Sequence, residues 1–334
     1  MSTRVAINGF GRIGRLFLRA AQKIEGIEFA AINDLGQIDA LAHLFKYDSV
    51  HGRFPGEVSV SKDTLVVNGQ AIRVLNEKDP AKLPWKELDV SVVFECTGKF
   101  RDIESVTKHL LSGADKVLVS SPMKDVVEIV RGVNDSMYDP EKHHIVSAAS
   151  CTTNCLAPLL KVLDENFGVI CGFLTTTHAY TNDQVILDFQ HKDLRRARAA
   201  GISMIPTSTG AAKSIGKVLP KLAGRLDGVA IRVPVPDGSL VDLTVVTSGP
   251  GGRVEVNEAF KQASQGELRG ILEYCEEPIV SVDVIGNPHS AIFDSLLTSV
   301  IVLPNLLGLV KIFAWYDNEW AYSCRMAELA TRLL

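Results

Sequence analysis

Three glycines in Gly9-Phe10-Gly11-Arg12-Ile13-Gly14 fall between a strand-like run, Arg4-Val5-Ala6-Ile7-Asn8, and an apolar-periodic helix expected over 11–24. No other feature restricts the fold so tightly. Glycine at such a junction permits a sharp turn, a close backbone approach to a pyrophosphate and close packing of helix on strand. The helix N-terminus then presents unpaired N–H groups to the anion. Asp34 closes the next strand, over 29–33. A carboxylate about 20 residues beyond the glycines accepts from a ribose 2′-hydroxyl and repels a 2′-phosphate. Three clustered glycines alone would mark only a turn; the strand before them, the helix after them and the acid beyond make them a dinucleotide site.

Strand and helix keep alternating as far as residue 150, with strands expected near 90–95, 116–120 and 144–147. That alternation implies an α/β class with a doubly wound, mostly parallel sheet. From Cys151 onward, longer strand runs over 172–179, 228–233, 240–247, 290–295 and 309–316 mix with helices, which indicates a second, α+β domain. The chain has 334 residues and 46% apolar content, enough for two cores; a domain takes roughly 150 residues. The expected division is 1–150 and 151–316. A C-terminal helix over about 317–334, with Met326, Leu329 and Leu333 on one stripe, is expected to pack back on the first domain.

A net charge of −4 leaves no positive field to recruit nucleic acid or an anionic membrane, so neither is expected as a main partner. The six cysteines are scattered through the chain, which points to reduced thiols and a cytoplasmic setting. The first strand starts almost at residue 1, so no leader is expected. Residues 296–313 are apolar enough to suggest a membrane span, yet Pro304-Asn305 and Gly308 interrupt them. Two strands, Val300-Ile301-Val302 and Leu309-Val310-Lys311-Ile312-Phe313, around a turn are expected instead. Cys151 and Cys155 share a helix face, but no second Cys/His pair completes a zinc site, and no metal is expected.

Cys151 lies in Ser150-Cys151-Thr152-Thr153-Asn154-Cys155, where a strand-like run gives way to a helical one. Unpaired N–H groups and the positive end of the helix dipole favour the thiolate there, which makes Cys151 a candidate nucleophile. A buried cysteine packing as a small hydrophobe is the plainer alternative. His178 ends the strand Leu174-Thr175-Thr176-Thr177-His178-Ala179, where an imidazole could take the cysteine proton, pair with the thiolate and return a proton later. Whether the two side chains meet is not legible in the sequence. Arg232 interrupts an apolar strand, and the stretch from His191 to Arg198 is locally basic, so one or two phosphate sites or an intersubunit ion pair are expected. Thr207-Ser208-Thr209-Gly210 before a helix over 211–219 adds hydroxyls and helix N-terminal amides.

With these residues in view, the chain resembles, from end to end, the phosphorylating glyceraldehyde-3-phosphate dehydrogenases. The resemblance is carried by Asn8-Gly9-Phe10-Gly11-Arg12-Ile13-Gly14-Arg15, Ala149-Ser150-Cys151-Thr152-Thr153-Asn154-Cys155, His178-Ala179-Tyr180-Thr181-Asn182-Asp183-Gln184, Pro206-Thr207-Ser208-Thr209-Gly210-Ala211-Ala212-Lys213 and Trp315-Tyr316-Asp317-Asn318-Glu319-Trp320. It implies a Rossmann domain that binds NAD, followed by a catalytic domain. It implies Cys151 as nucleophile and His178 as its base. Ser150, Thr152, Thr209, Gly210 and Arg232 would contact substrate and inorganic phosphate, and Thr181, Arg196 and Arg232 the substrate's own phosphate. Arg12, Ile13, Asp34, Lys78, Ser120 and Asn318 would join Gly9, Gly11 and Gly14 at the cofactor. A cytoplasmic homotetramer is implied, with the segment 180–202 at a subunit interface beside a neighbour's cofactor.

Four departures from the family's common pattern stand out: Ala148 for Asn, Ala321 for Gly, Phe189-Gln190 for Leu-Pro, and an expanded turn over 302–309. Lys78 also replaces an arginine common in bacterial relatives. None removes a catalytic group, although Gln190 can donate to a phosphate where proline cannot. NAD is expected as the preferred cofactor, with residual use of NADP. Erythrose-4-phosphate dehydrogenase shares the cysteine and cofactor motifs, and Thr181 with Thr209-Gly210 favours the triose phosphate enzyme over it. A purely binding role sits badly with an intact Cys–His pair.

Overall fold

The strand Thr3–Asn8 turns fully buried from Val5 onward because it has parallel neighbours on both sides, Ile27–Asn33 and Val92–Glu95. A strand covered by helices on both faces needs a continuous apolar run, and Val5-Ala6-Ile7 supplies it. The computed structural model describes residues 2–22, 24–249 and 251–333, apart from the side chain of Leu306. Among them, a nine-stranded sheet runs in the order Val127–Glu128, Ile145–Ser147, Lys116–Val119, Val92–Glu95, Thr3–Asn8, Ile27–Asn33, Gln70–Leu75, Thr64–Val67, Val58–Ser61. All pairs are parallel except the last two, which form an antiparallel edge. One side of this Rossmann sheet packs Trp85, Val93, Val106 and Val117 into a single apolar cluster.

Contact density divides the chain into two units. One comprises Met1–Ile129, Asp135–Ala149 and Ser323–Leu334; the other comprises Val130–Asn134 and Ser150–Tyr322. The C-terminal helix, Trp320–Leu333, begins in the second unit and ends in the first, and Leu334 lies outside the described residues. The first helix covers Arg12–Ala21 rather than 11–24, since Gln22 already caps it. Val90 and Ser91 stand outside the strand expected over 90–95 and form its approach turn, Val90 N–H donating to the carbonyl of Trp85.

The second unit is built on a mixed sheet in the order Ile205–Ser208, Leu226–Val233, Val169–Ala179, Ser239–Thr247, Gly308–Tyr316, Ala291–Asp294, Leu272–Cys275. In Ser239–Thr247 and Gly308–Tyr316 every second residue is buried, the period of a strand with one face on a core. The helix Cys151–Phe167 packs on this sheet. Ser299–Val302 pairs antiparallel with Gly308–Tyr316, the expected hairpin, and no helix among the described residues is long and apolar enough to cross a membrane.

Candidate active site

In the first unit, the glycine turn and the strand ends enclose a cavity of about 220 Å³ lined by Asn8, Gly9, Gly11, Asp34, Lys78 and Thr97, among others. Two glycines are sterically obligatory. Gly9 has φ +95°, and a Cβ on it would lie 2.6 Å from the Thr97 nitrogen; a Cβ on Gly14 would collide with the carbonyl oxygen of Gly9. Gly11 is different: a Cβ there would meet nothing within 4 Å, so its backbone borders open space that a ligand can approach. Asp34 is aimed by two amides, accepting from Phe10 N–H at 2.7 Å and Gly36 N–H at 2.8 Å. These residues fit a dinucleotide: an open glycine edge at a helix N-terminus and a fixed carboxylate beside it. Arg12 does not turn its side chain into the cavity; its guanidinium pairs with Asp48 at 2.6 Å, and Arg12 and Ile13 open the helix. Ser120 N–H donates to the Glu95 carbonyl, at the end of a neighbouring strand.

The second unit holds the chemistry-bearing side chains. Ser150 caps the helix that begins at Cys151, its hydroxyl accepting from Thr153 N–H at 3.0 Å. Sγ of Cys151 lies 3.4 Å from Nε2 of His178. Parallel register sets His178 opposite Arg232 on the neighbouring strand, and Nη1 of Arg232 sits 2.8 Å from His178 Nδ1 and donates to the Ala179 carbonyl at 3.0 Å. Nε of Arg232 is buried with no acceptor among the described residues, which suits an anionic ligand. Thr152 turns its hydroxyl inward to buried Tyr316 at 2.9 Å, and Tyr316 also meets Thr176.

Burial pushes the Cys151 thiol up, while the Arg232 charge and the hydroxyl and amide of Thr152 pull it back only in part. Burial and the adjacent Arg232 lower His178 to about 3, against the opposing pull of the Ala179 carbonyl. Desolvation thus disfavours charge on both groups, while the Arg232 guanidinium favours the thiolate and disfavours a second cation on the imidazole.

Two family models match the chain: glyceraldehyde 3-phosphate dehydrogenase, NAD binding domain, over residues 3–103, and its C-terminal domain over residues 150–318. Glyceraldehyde-3-phosphate dehydrogenase 2 of Streptomyces avermitilis is 54% identical over 331 residues, 98% of each chain. Glyceraldehyde-3-phosphate dehydrogenase 2 of Bacillus subtilis is 52% identical over 330 residues, covering 98% of this chain and 96% of its own. The protein of that name from Geobacillus stearothermophilus is 54% identical over 331 residues, 99% of this chain and 98% of its own. The chain belongs to the glyceraldehyde-3-phosphate dehydrogenase family.

The remaining site residues expected of a glyceraldehyde-3-phosphate dehydrogenase are held by neighbours in the second unit. Arg196 is held by carboxylates: it pairs with Asp183, lies 3.7 Å from Asp193, and donates from Nε to Thr207 at 3.0 Å. Thr209 accepts from Ala211 N–H at 3.2 Å, and Gly210 caps the helix Ala211–Val218. Thr181 follows the strand of His178 and its carbonyl accepts from Gln184 N–H. Asn318 accepts from the Ser239 hydroxyl at 2.6 Å, and Ser239 in turn accepts from Ala179 N–H, which ties Asn318 to the end of the His178 strand. Sequence reasoning missed Tyr316, Ser239 and the Asp183–Arg196 pair. Local spacing does not announce the contacts of Tyr316 and Ser239 with other strands, although Tyr316 and Asp183 both lie in motifs quoted above.

Proposed function

We propose that this chain is a phosphorylating glyceraldehyde-3-phosphate dehydrogenase that converts D-glyceraldehyde 3-phosphate, NAD and inorganic phosphate into 1,3-bisphosphoglycerate. The observation that carries this reading is the Cys151–His178 contact of 3.4 Å at the start of a helix, with Arg232 against the same imidazole. As the aldehyde carbon approaches, His178 Nε2 takes the thiol proton and Cys151 Sγ forms the C–S bond of a hemithioacetal. The helix N-terminal N–H of Cys151 and the protonated His178 stabilise the developing oxyanion. A substrate phosphate at Arg232 offsets the charge that depresses His178, so proton transfer becomes easier once the substrate is seated. The glycine turn and Asp34 would hold NAD, which when bound would accept the hydride. Oxidation leaves a thioester on Cys151; inorganic phosphate attacks its carbonyl carbon, the C–S bond breaks, and the acyl phosphate departs from the regenerated thiolate.

A cytoplasmic homotetramer is part of the reading. Its assembly is supported by the apolar side chains on the segment after His178: Ile186, Leu187, Phe189, Leu194, Ile202 and Met204 are each at least 71% exposed, more than an isolated subunit keeps in one segment. Single-turnover formation of NADH from D-glyceraldehyde 3-phosphate tests the activity, with and without inorganic phosphate and with erythrose 4-phosphate as the second aldehyde. One equivalent of NADH per subunit is expected without phosphate and sustained turnover with it. A faster reaction with erythrose 4-phosphate, or phosphate-independent turnover, would overturn the reading.

A further inference from the structure

Below the cavity of the first unit, an unbroken hydrogen-bonded chain connects three strand ends to a helix. Asn33 exchanges two bonds of 2.9 Å with the backbone of Glu77 and donates to Asn8 Oδ1 at 2.7 Å. Asn8 Nδ2 donates to Glu95 Oε2 at 2.5 Å, while Glu95 Oε1 accepts from Thr97 N–H at 2.8 Å and from the Thr97 hydroxyl. Nε2 of His109 lies 3.1 Å from Glu95 Oε2, and Nε1 of Trp85 lies 3.0 Å from His109 Nδ1. Asn8, Glu95, His109 and Trp85 are each no more than 2% exposed.

Donor logic fixes the proton. An indole N–H can only donate, so His109 Nδ1 is the acceptor and Nε2 carries the hydrogen that goes to Glu95. The His109 Nε2 hydrogen therefore points at Glu95, whose carboxyl receives donors from Thr97 twice, Asn8 and His109. A buried carboxylate survives without a cation only while such donors stay in place, so each member depends on the others. Asn8, Asn33, Glu77 and Thr97 line the cavity, whereas Glu95 and His109 do not. Phe100, also a lining residue, meets the His109 ring edge-on at 6.5 Å.

We propose that Glu95 and His109 are positioning residues for the cofactor, clamping Asn8 and Thr97 so that the floor of the cleft keeps the geometry that binds the dinucleotide. The proposal rests on the cavity being the cofactor site. None of these residues belongs to the Cys151–His178 machinery, so their loss falls on cofactor affinity and not on turnover at saturation.

Gln at 109 keeps one acceptor for Trp85 and one donor for Glu95; Leu keeps bulk and removes both. In the full-length enzyme, calorimetric titration with NAD and steady-state kinetics should show His109→Leu with Kd and KM for NAD raised at least about fivefold and kcat within about twofold, from the loss of both buried hydrogen bonds. His109→Gln should stay within about twofold of wild type. Wild-type affinity in His109→Leu, or equal impairment by Leu and Gln, would overturn the proposal. Should His109→Leu fail to fold, Trp85→Phe, which keeps a ring and removes the N–H, is expected to raise Kd about two- to fivefold, and an unchanged Kd sinks the idea equally. Asp34→Ala separates the premise from the proposal. If it leaves NAD affinity intact, the cavity is not the cofactor site and the proposal falls with it; if it weakens NAD while His109→Leu does not, only the positioning role is lost.

Discussion

Cys151 and Cys155 are the same residue type one helical turn apart, and their surroundings separate them. Cys151 faces an imidazole and a guanidinium; Cys155 is fully buried, its thiol pushed well above the ordinary value by burial. Cys151→Ser should lower turnover by roughly a thousandfold or more while NAD affinity stays near wild type, because a serine hydroxyl is a far poorer nucleophile. Cys155→Ser should cost less than about tenfold, and comparable losses in both would point to a paired-cysteine role. His178 makes a prediction of its own. Its folded value of about 3 lies below the usual imidazole value, so between pH 6.5 and 3 the unfolded chain binds the extra proton. That contribution is present above pH 6.5 and is lost as pH falls toward 3, on the order of 5 kcal/mol at the full shift. Urea unfolding at pH 7 and pH 4 should show a smaller acid loss in His178→Asn than in wild type. An identical loss in both would mean that His178 is not the group withheld from protonation.

At the scale of elements, two short segments hold charged side chains in place. The turn after the helix Ile38–Lys46 folds around Asp48, which accepts from Val50 N–H at 2.9 Å, His51 N–H at 3.0 Å and the Arg12 guanidinium. Burial pushes the Asp48 carboxyl up, but those amides and Arg12 outweigh it and hold it at about 2. Its stabilising contribution, about 2 kcal/mol, is complete above pH 4 and disappears as pH falls through 2. Asp48→Asn should destabilise the protein at pH 7 by about that amount and flatten the acid limb, read from denaturant midpoints between pH 5 and pH 2. The other segment holds Arg196 between Asp183, Asp193 and Thr207, a geometry that presents a fork but shields it with carboxylates. Arg196→Leu should reduce kcat/KM for D-glyceraldehyde 3-phosphate at least about tenfold more than for unphosphorylated glyceraldehyde, the signature of a lost charge-assisted phosphate contact. Equal losses for both aldehydes would remove Arg196 from the phosphate site.

In the proposed tetramer, cofactor choice and assembly would be coupled. Asp34, fixed by two amides, disfavours a 2′-phosphate, whereas Gln190 follows Phe189 on an exposed segment proposed to reach a neighbour's cofactor. A neutral donor from another subunit does not outweigh a carboxylate at the ribose, so NAD should exceed NADP in kcat/KM, and Asp34→Ala should narrow the gap at least about tenfold. An NADP preference in wild type would reverse the ordering of the two effects. Ile202 is 85% exposed. Ile202→Asp should shift the mass measured by light scattering from tetramer toward smaller species, because a carboxylate would be buried unpaired at the contact. A tetramer of unchanged stability would place the interface elsewhere.

Much of this was legible along the chain because its signals are local. A glycine turn between strand and helix, a carboxylate at the next strand end, a thiol at a helix start and a histidine at a strand end depend on residues within a few positions of one another, and backbone geometry alone constrains them. The doubly wound alternation was readable for the same reason. What the tertiary structure decided is what depends on residues brought together from far apart. Arg232 stands beside His178 because two strands are in parallel register, and burial together with that contact lowers the imidazole below its ordinary value, against what the helix dipole alone suggests. The Asn8–Glu95–His109–Trp85 chain likewise joins residues up to about a hundred positions apart. Charge state follows from desolvation and from neighbours in space, and a linear pattern of residue types carries neither.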